Sequence, residues 1–499
     1  MIDVRIHSSR HLETKITYPI PENREYERDV HYYIFSPAQL HVSAEMIGDA
    51  AMLRKFQTHA RYSSPEITLD ELLDEKNVTS PLYVIEYYVD DRTKGNAEIN
   101  DNVFITELQT LVNSIRHDTS VVLSECRYLV CVKKDAELDV MLKRWSDEVS
   151  QMLGRLRALA ERMRIHYPTG NRMVTAFEWA DEAISLIVEN NSLEMYLALE
   201  PLFTQLQGTA QRLLRLSRAE LSYRRERSYD SVIGQGNKYS AEAVAYRSGV
   251  LKKWAQSVLY LTPLQSKAPE RVSGILAGTA AAIAMTFATL AAIFAERFFL
   301  KNSMQWALLV IIAYVFKDRI KEGLRKFFNK VVPRLLADQI ATFVSPRTGC
   351  TLSKAKVIIE LTKANKVPQR IRDVRKAKSN PFLDLLPVED VVHYTRFVKI
   401  YKNERSKTMG PWINAMTVIT RIRIDDYLKE MDDPSDVMYV SSDEGDFEQQ
   451  NSERVYHLHL VIHEFSARDN IDQIQHYRVV LNKGGIIRIE NLTDVPVSS

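Results

Sequence analysis

The run VSGILAGTAAAIAMTFATLAAIFA, Val272 to Ala295, constrains this chain more than any other feature: it holds no charge over 24 residues. As a helix at about 1.5 Å per residue it is roughly 36 Å long, enough to cross a hydrocarbon core of about 30 Å. Helices buried in soluble proteins seldom run that far without one charged side chain. The run therefore predicts a transmembrane span.

A second stretch, SMQWALLVIIAYVF from Ser303 to Phe316, is uncharged over only 14 residues. Begun near Phe298 it reaches 19, with Lys301 placed to snorkel towards headgroups. Spans at 272–295 and about 298–316, joined by a tight turn, give a two-helix transmembrane hairpin. Lys252, Lys253, Lys267 and Arg271 precede it, and Lys317, Arg319, Lys321, Arg325, Lys326, Lys330 and Arg334 follow it. The turn has only Arg297 and Lys301. Positive charge stays inside, so both flanks and both termini are expected in the cytoplasm, on a cytoplasmic (inner) membrane. The first residues, MIDVRIHSSRHLET, have no apolar stretch of the kind a secretory signal needs.

Neither span carries an ionisable residue in its inner part, which disfavours an ion path through a single chain. The first instead carries Gly274 and Gly278, four residues apart, and a ladder of Ala280, Ala284, Ala288 and Ala292. Small faces let helices approach closely in lipid, either against the second span or in a homo-oligomer. A channel or transporter subunit built from several copies is the second alternative.

The formal net charge of +2 hides an asymmetry. From Lys317 to Lys378 there are 17 Lys or Arg against 5 Asp or Glu, whereas from Pro381 to Ser499 there are 13 against 20. Ile320, Leu324, Phe327, Phe328 and Val331 can form an apolar stripe with Lys317, Arg319, Lys321, Arg325 and Lys326 beside it. A juxtamembrane helix of that kind is drawn to anionic headgroups by about 1 kcal/mol per charge. Nucleic acid is disfavoured as a partner, because no aromatic platform or known module accompanies the basic run.

Residues 1–135 mix runs such as MIDVRI, VHYYIF, PLYVIEYYV and SVVLSECRYLVCV, rich in strand-favouring residues, with helical pieces, and predict an α+β cytoplasmic domain. Within 136–271 the period changes: Leu138, Leu142, Trp145, Val149, Met152, Leu156, Leu159 and Met163 form a heptad seam, the mark of a helical bundle or coiled-coil stalk. GQGNKYS, Gly234 to Ser240, lacks the glycines and the Gly-Lys-Ser/Thr of a nucleotide loop and reads as a helix connection. Cys126, Cys131 and Cys350 are too few and scattered for a disulfide framework.

After the basic juxtamembrane segment 317–380, residues 381–499 read as an antiparallel β domain. RVYHLHLVIHEF sets Tyr456, Leu458, Leu460 and Ile462 against His457, His459, Val461 and His463. HYRVVLNKGGIIRIE is a hairpin around Asn-Lys-Gly-Gly that sets His476 and Arg478 opposite Tyr477 and Val479. In AMTVITRIRID, Arg421 and Arg423 alternate with apolar residues in the same way. The expected result is a face shared by Arg421, Arg423, His457, His459, His463, His476 and Arg478, solvated and open to an anion or a partner. Its arginines oppose a divalent metal, so no metal is expected there. The acidic run Asp432 to Glu453 reads as an exposed loop.

The fold expected is a multidomain membrane protein: α+β N-terminal domain, helical bundle or coiled-coil segment, transmembrane hairpin and C-terminal antiparallel β domain. No catalytic motif and no cofactor motif is present. The first functional reading is a non-enzymatic membrane-anchored scaffold or sensor with lipid and cytoplasmic protein partners. The alternative is a membrane-tethered enzyme or ligand-binding protein that uses the His/Arg face.

Overall fold

Strands form at both ends of the chain, and the two ends fold together. The computed structural model describes every residue except 1, 22–23, 44–45, 94–100, 167–169, 233–237, 267, 301–302, 336, 347, 378–384, 403–411, 442–446 and 494–499. The chain opens with β1 (Ile2–Ser8), β2 (His11–Pro19), β3 (Tyr26–Ser36), the short α1 (Asp49–Leu53) and β4 (Phe56–Tyr62). Among the described residues seven α-helices follow: α2 (Leu69–Leu73), α3 (Pro81–Thr93), α4 (Asp101–Val132), α5 (Asp135–His166), α6 (Arg172–Ala198), α7 (Gln207–Glu226) and α8 (Lys238–Gln256). Next come β5 (Thr262–Gln265), the long α9 (Ala268–Phe298) and α10 (Met304–Leu335), and β6 (Gln339–Val344). β7 (Thr351–Lys363), α11 (Gln369–Lys376), β8 (Asp390–Ile400), β9 (Ala415–Arg423) and α12 (Asp425–Leu428) lead to the last strands. These are β10 (Ser435–Ser441), β11 (Phe447–Glu453), β12 (Tyr456–Ser466), β13 (Ile471–Asn482) and β14 (Gly485–Asn491). Among the described residues 52% are helical and 28% lie in strands, so the class is mixed, with antiparallel sheets.

Two sheets enclose one core. The larger has the order β14-β13-β12-β3-β8-β7-β6-β5, the smaller β1-β2-β9-β4, and β10 and β11 pair apart. Ile16, Tyr18, Met416, Val418 and Ile422 of the smaller sheet join Val30, Tyr32, Tyr394, Leu458, Leu460 and Ile462 of the larger in one buried cluster. The chain therefore divides differently from the expected boundaries at 135 and 381. N-terminal strands pair with C-terminal ones, as where His11 lies opposite Arg423 and Tyr33 opposite Val461. Likewise 317–380 is no separate segment, since it supplies α10, β6, β7 and α11. The acidic run from Asp432 holds the β10–β11 hairpin rather than a loop alone.

PLYVIEYYV and SVVLSECRYLVCV are helical, in α3 and α4, not strands. Their buried residues explain why: Leu82, Ile85 and Val89, then Leu123, Cys126 and Leu129, recur every three or four positions, which is one helix face. Strand propensity loses to that packing. All eight seam residues of α5 are at most 2% exposed. Several helices of the same chain cover them, so the seam is bundle core. Thr68 and Glu71 close a capping box at the start of α2, and the Asn171 side chain accepts from the Met173 N–H at 2.8 Å to start α6. The bundle also pairs its buried charges: Arg157 donates to Glu220 at 2.6 Å, Arg247 to Glu182 at 2.6 Å, and Tyr223 and Tyr229 donate to Asp181 at 2.7 and 2.8 Å. GQGNKYS lies mostly outside the described residues, between α7 and α8.

α9 and α10 pack on each other, and their feet are stitched by the pairing of β5 with β6, Gln265 opposite Ala341. α9 runs on to Phe298, so the apolar part of α10 is Met304 to Phe316, not a segment from 298. Ala280, Ala284 and Ala295 of α9 and Ala313 of α10 are buried. One helix of the two, α9 over Gly274–Phe298, is long and apolar enough to cross a membrane, and most of its residues are exposed or half-buried.

Candidate functional site

Strand alternation places six of the chain's twelve histidines on one face of the larger sheet. His463 lies opposite His31, His31 opposite Thr395, Tyr33 opposite His393, and His459 opposite Arg478. The helix α11 packs over the middle of this face. There Ile371 joins Tyr33, Phe35, Val391 and Val461 in a small second core. The face is thus partly covered rather than simply solvated, with His459 4% and His476 2% exposed.

One group of rings crosses three strands. His31 Nδ1 is 3.2 Å from His393 Nε2, and the Thr395 hydroxyl lies 3.1 and 3.0 Å from those two atoms. The His31 ring stacks at 5.4 Å on His393 and at 5.9 Å on His463. His463 Nε2 is 2.9 Å from the Asp472 carboxylate, which also accepts from Arg370 at 2.5 Å. Burial, and next the charge of a neighbouring imidazole, push His31 and His393 down to about 4. Both are neutral at pH 7.

The second group is His457, His459 and His476, with His459 Nδ1 3.0 Å from His476 Nε2. Burial, then the nearby Arg375, lowers His459 to about 2, and burial with Arg478 lowers His457. Neutral imidazoles can ligate metals, yet among the described residues no three His, Cys, Asp or Glu side chains converge on one point.

Beneath α11 lies a cleft of about 180 Å³ whose lining includes Phe35, Arg372, Arg375, Pro387, Val388 and Glu389. Arg375 is 5% exposed and donates to Glu389 at 2.6 Å. Its Nε and Nη1, and the Nε of Arg372, have no acceptor among the described residues. A buried donor left unmet costs about 1–3 kcal/mol, a cost that a negative group held in the cleft would offset.

The other expected site residues scatter. Arg421 and Arg423 leave the histidine face altogether, because β9 belongs to the smaller sheet. Arg421 donates to Glu13 at 2.8 Å, and Arg423 lies 2.6 Å from Asp425. Burial alone would raise Glu13, but hydrogen bonds from Arg421 and Arg5 outweigh it and hold the group at about 2. Arg478 stays on the face and donates to Glu490 at 3.1 Å. Gly274 and Gly278 face open space, where an added Cβ would meet nothing within 4 Å. Arg319, Lys321, Arg325 and Lys326 are exposed along α10, and Lys317 Nζ sits 3.6 Å over the Tyr314 ring.

Sequence reasoning missed His31, His393, Arg372, Arg375 and Asp472. VHYYIF already placed His31 beside Tyr33 and Phe35 on one face, but nothing in the sequence paired that strand with residues more than 400 positions away. No family model, curated protein or solved structure matches the chain.

Proposed function

We propose that this chain is a non-enzymatic, membrane-anchored interaction protein. The α9–α10 hairpin is its anchor, and the β-sandwich and helical bundle lie together on the cytoplasmic side. The observation that carries the reading is the outer surface of the hairpin. Ile275, Ile283, Leu290, Ile293 and Phe294 on α9, with Leu308, Ile311 and Val315 on α10, are each between 50% and 65% exposed. Left in water, eight such side chains forfeit roughly 10 kcal/mol or more of hydrophobic stabilisation. That is comparable with the whole stability of a typical domain. Lipid offsets the cost without another protein. The β5–β6 pairing supports entry of both helices from one side. Lys317, Arg319, Lys321, Arg325 and Lys326 then meet anionic headgroups, and the open Gly274/Gly278 face is where a second copy would pack.

Membranes carrying the full chain, washed with high salt and then alkaline carbonate, should retain it until detergent is added. Recovery in the supernatant without detergent overturns the anchor. A strictly monomeric mass in detergent overturns the second copy. The alternative reading, ligand binding at the histidine face, is favoured by one observation: the unmet donors of Arg375.

A further inference from the structure

Strand register places the cleft beneath α11 at the end of the sheet where the hairpin leaves it. Gln265 at the end of β5 lies opposite Ala341, and Gln339 at the start of β6 lies opposite Val357. β7 runs on from Val357 to Lys363, which lies opposite Asp390, itself opposite Ser36. The exit into α9, the return from α10, the ends of β7 and β3 and the start of β8 therefore point to one end of the molecule. The cleft is bounded by those last pieces: Phe35 of β3, Ala364 and Asn365 after β7, and residues 386–389 before β8.

The cleft joins two unlike surfaces. Its inner wall is cationic, with Arg375 buried and two of its nitrogens unmet, Arg372 beside it and Glu389 as the carboxylate among the lining residues. Its rim is apolar and exposed, with Leu386 at 52% and Val388 at 49%, and Leu385, next along the chain, is 82% exposed. A freely diffusing anion has no use for such a rim. A phosphate that carries acyl chains meets both surfaces at once, since guanidinium suits phosphate oxygens and the leucines suit the chains.

We propose that this cleft is a subsite for the phosphate headgroup of an anionic lipid, with Arg375 and Arg372 on the phosphate and Leu385 to Val388 dipping into the leaflet. The proposal rests on the membrane anchoring argued above. It adds a built headgroup site to the diffuse attraction exerted by the basic half of α10.

The test uses the full-length protein, delipidated in a neutral detergent, and follows its thermal unfolding midpoint. Three probes are titrated: short-chain phosphatidic acid, short-chain phosphatidylcholine and inorganic phosphate. The expected result is a saturable rise with phosphatidic acid alone. Arg375→Gln should weaken the apparent affinity about tenfold or more, the worth of one hydrogen bond to a charged group. Because Arg375 is buried, Arg372→Gln, nearer the rim, is the second variant; it should weaken affinity while keeping the native midpoint without lipid. If inorganic phosphate saturates with the same affinity as the lipid, the lipid source is wrong. If phosphatidic acid gives no saturable rise, or Arg372→Gln leaves its affinity unchanged, the site is wrong. Carbonate extraction of the same variants is read separately: loss of membrane retention in the wild type sinks the anchor, whereas loss of lipid affinity in retained protein sinks only the cleft.

Discussion

Mild acid should loosen the histidine face before it disturbs most of the molecule. In the unfolded chain a histidine takes up its proton near pH 6.5. In the folded chain His31 and His393 do so only near 4, and His459 near 2. Between those limits the unfolded state binds more protons, so stability is full above pH 6.5 and falls as the pH drops. For one such group the loss between pH 6.5 and 5.5 is about 1 kcal/mol. Three groups give about 2–3 kcal/mol, less than a strict sum because His31 and His393 share a contact. Asp118 acts in the opposite sense. Burial raises it to about 6, so it gains a proton in the folded state over the same interval. It sits on α4 in the helical bundle, so a local readout separates the two effects.

Hydrogen exchange followed by mass spectrometry supplies that readout, with peptides covering 30–36 of β3 and 458–464 of β12 and with intrinsic rates corrected for pH. His393→Gln removes one titrating group while keeping a side chain able to hydrogen-bond Thr395. Protection of the two peptides should fall about fivefold more in the wild type than in the variant between pH 6.5 and 5.5, the equivalent of about 1 kcal/mol. Equal losses in both proteins would refute the claim that buried neutral imidazoles set the acid response.

Two further outcomes follow from local geometry. Gly485 has φ +134°, and a Cβ there would lie 2.3 Å from the Ser9 carbonyl oxygen, so Gly485→Ala should cost about 1–3 kcal/mol or more and lower the unfolding midpoint of the sandwich; an unchanged midpoint would show that this corner yields freely. Burial pushes the Cys126 thiol up to about 11, while Cys131 is exposed, so a maleimide at pH 7 should modify Cys131 in the native protein and Cys126 only after denaturation, as peptide mapping would read.

What the sequence made legible was local. The seam from Leu138 to Met163, the alternation of His457 and His459 with Leu458 and Leu460, and the uncharged run from Val272 each carry their own period, and each is visible within a window of ten to thirty residues. Arg421 shows where such reading stops. Its strand alternates like β12, and only pairing with β2 and β4, some 360 to 410 residues earlier, puts it on the other sheet. No local signal fixes which strands pair across such a distance. Arg375 was hidden for a related reason: within RIRDVRKAK it is one cation among several, and it becomes a buried one only because α11 lies over Phe35 and Val391.

The same long-range pairing sets how deep the hairpin can sit under the membrane proposal. With Gln265 opposite Ala341, and α9 ending at Phe298 and α10 beginning at Met304, each rising about 1.5 Å per residue, residues equally far from those two ends share a depth. Lys317 to Lys326 then lie roughly level with Met285 to Leu276, so the basic half of α10 runs beside the apolar first half of α9. The depth at which both helices are apolar is that of Met304–Phe316, about 20 Å, against the roughly 30 Å of a hydrocarbon core. A hairpin that crosses must therefore thin the bilayer or draw the α10 cations up to the headgroups along their aliphatic stems. Either way, under that proposal, those cations and the sheet end that bears Arg372 and Leu385 would lie close to a single leaflet. That closeness would give the cleft beneath α11 the access to lipid that the proposed headgroup site requires.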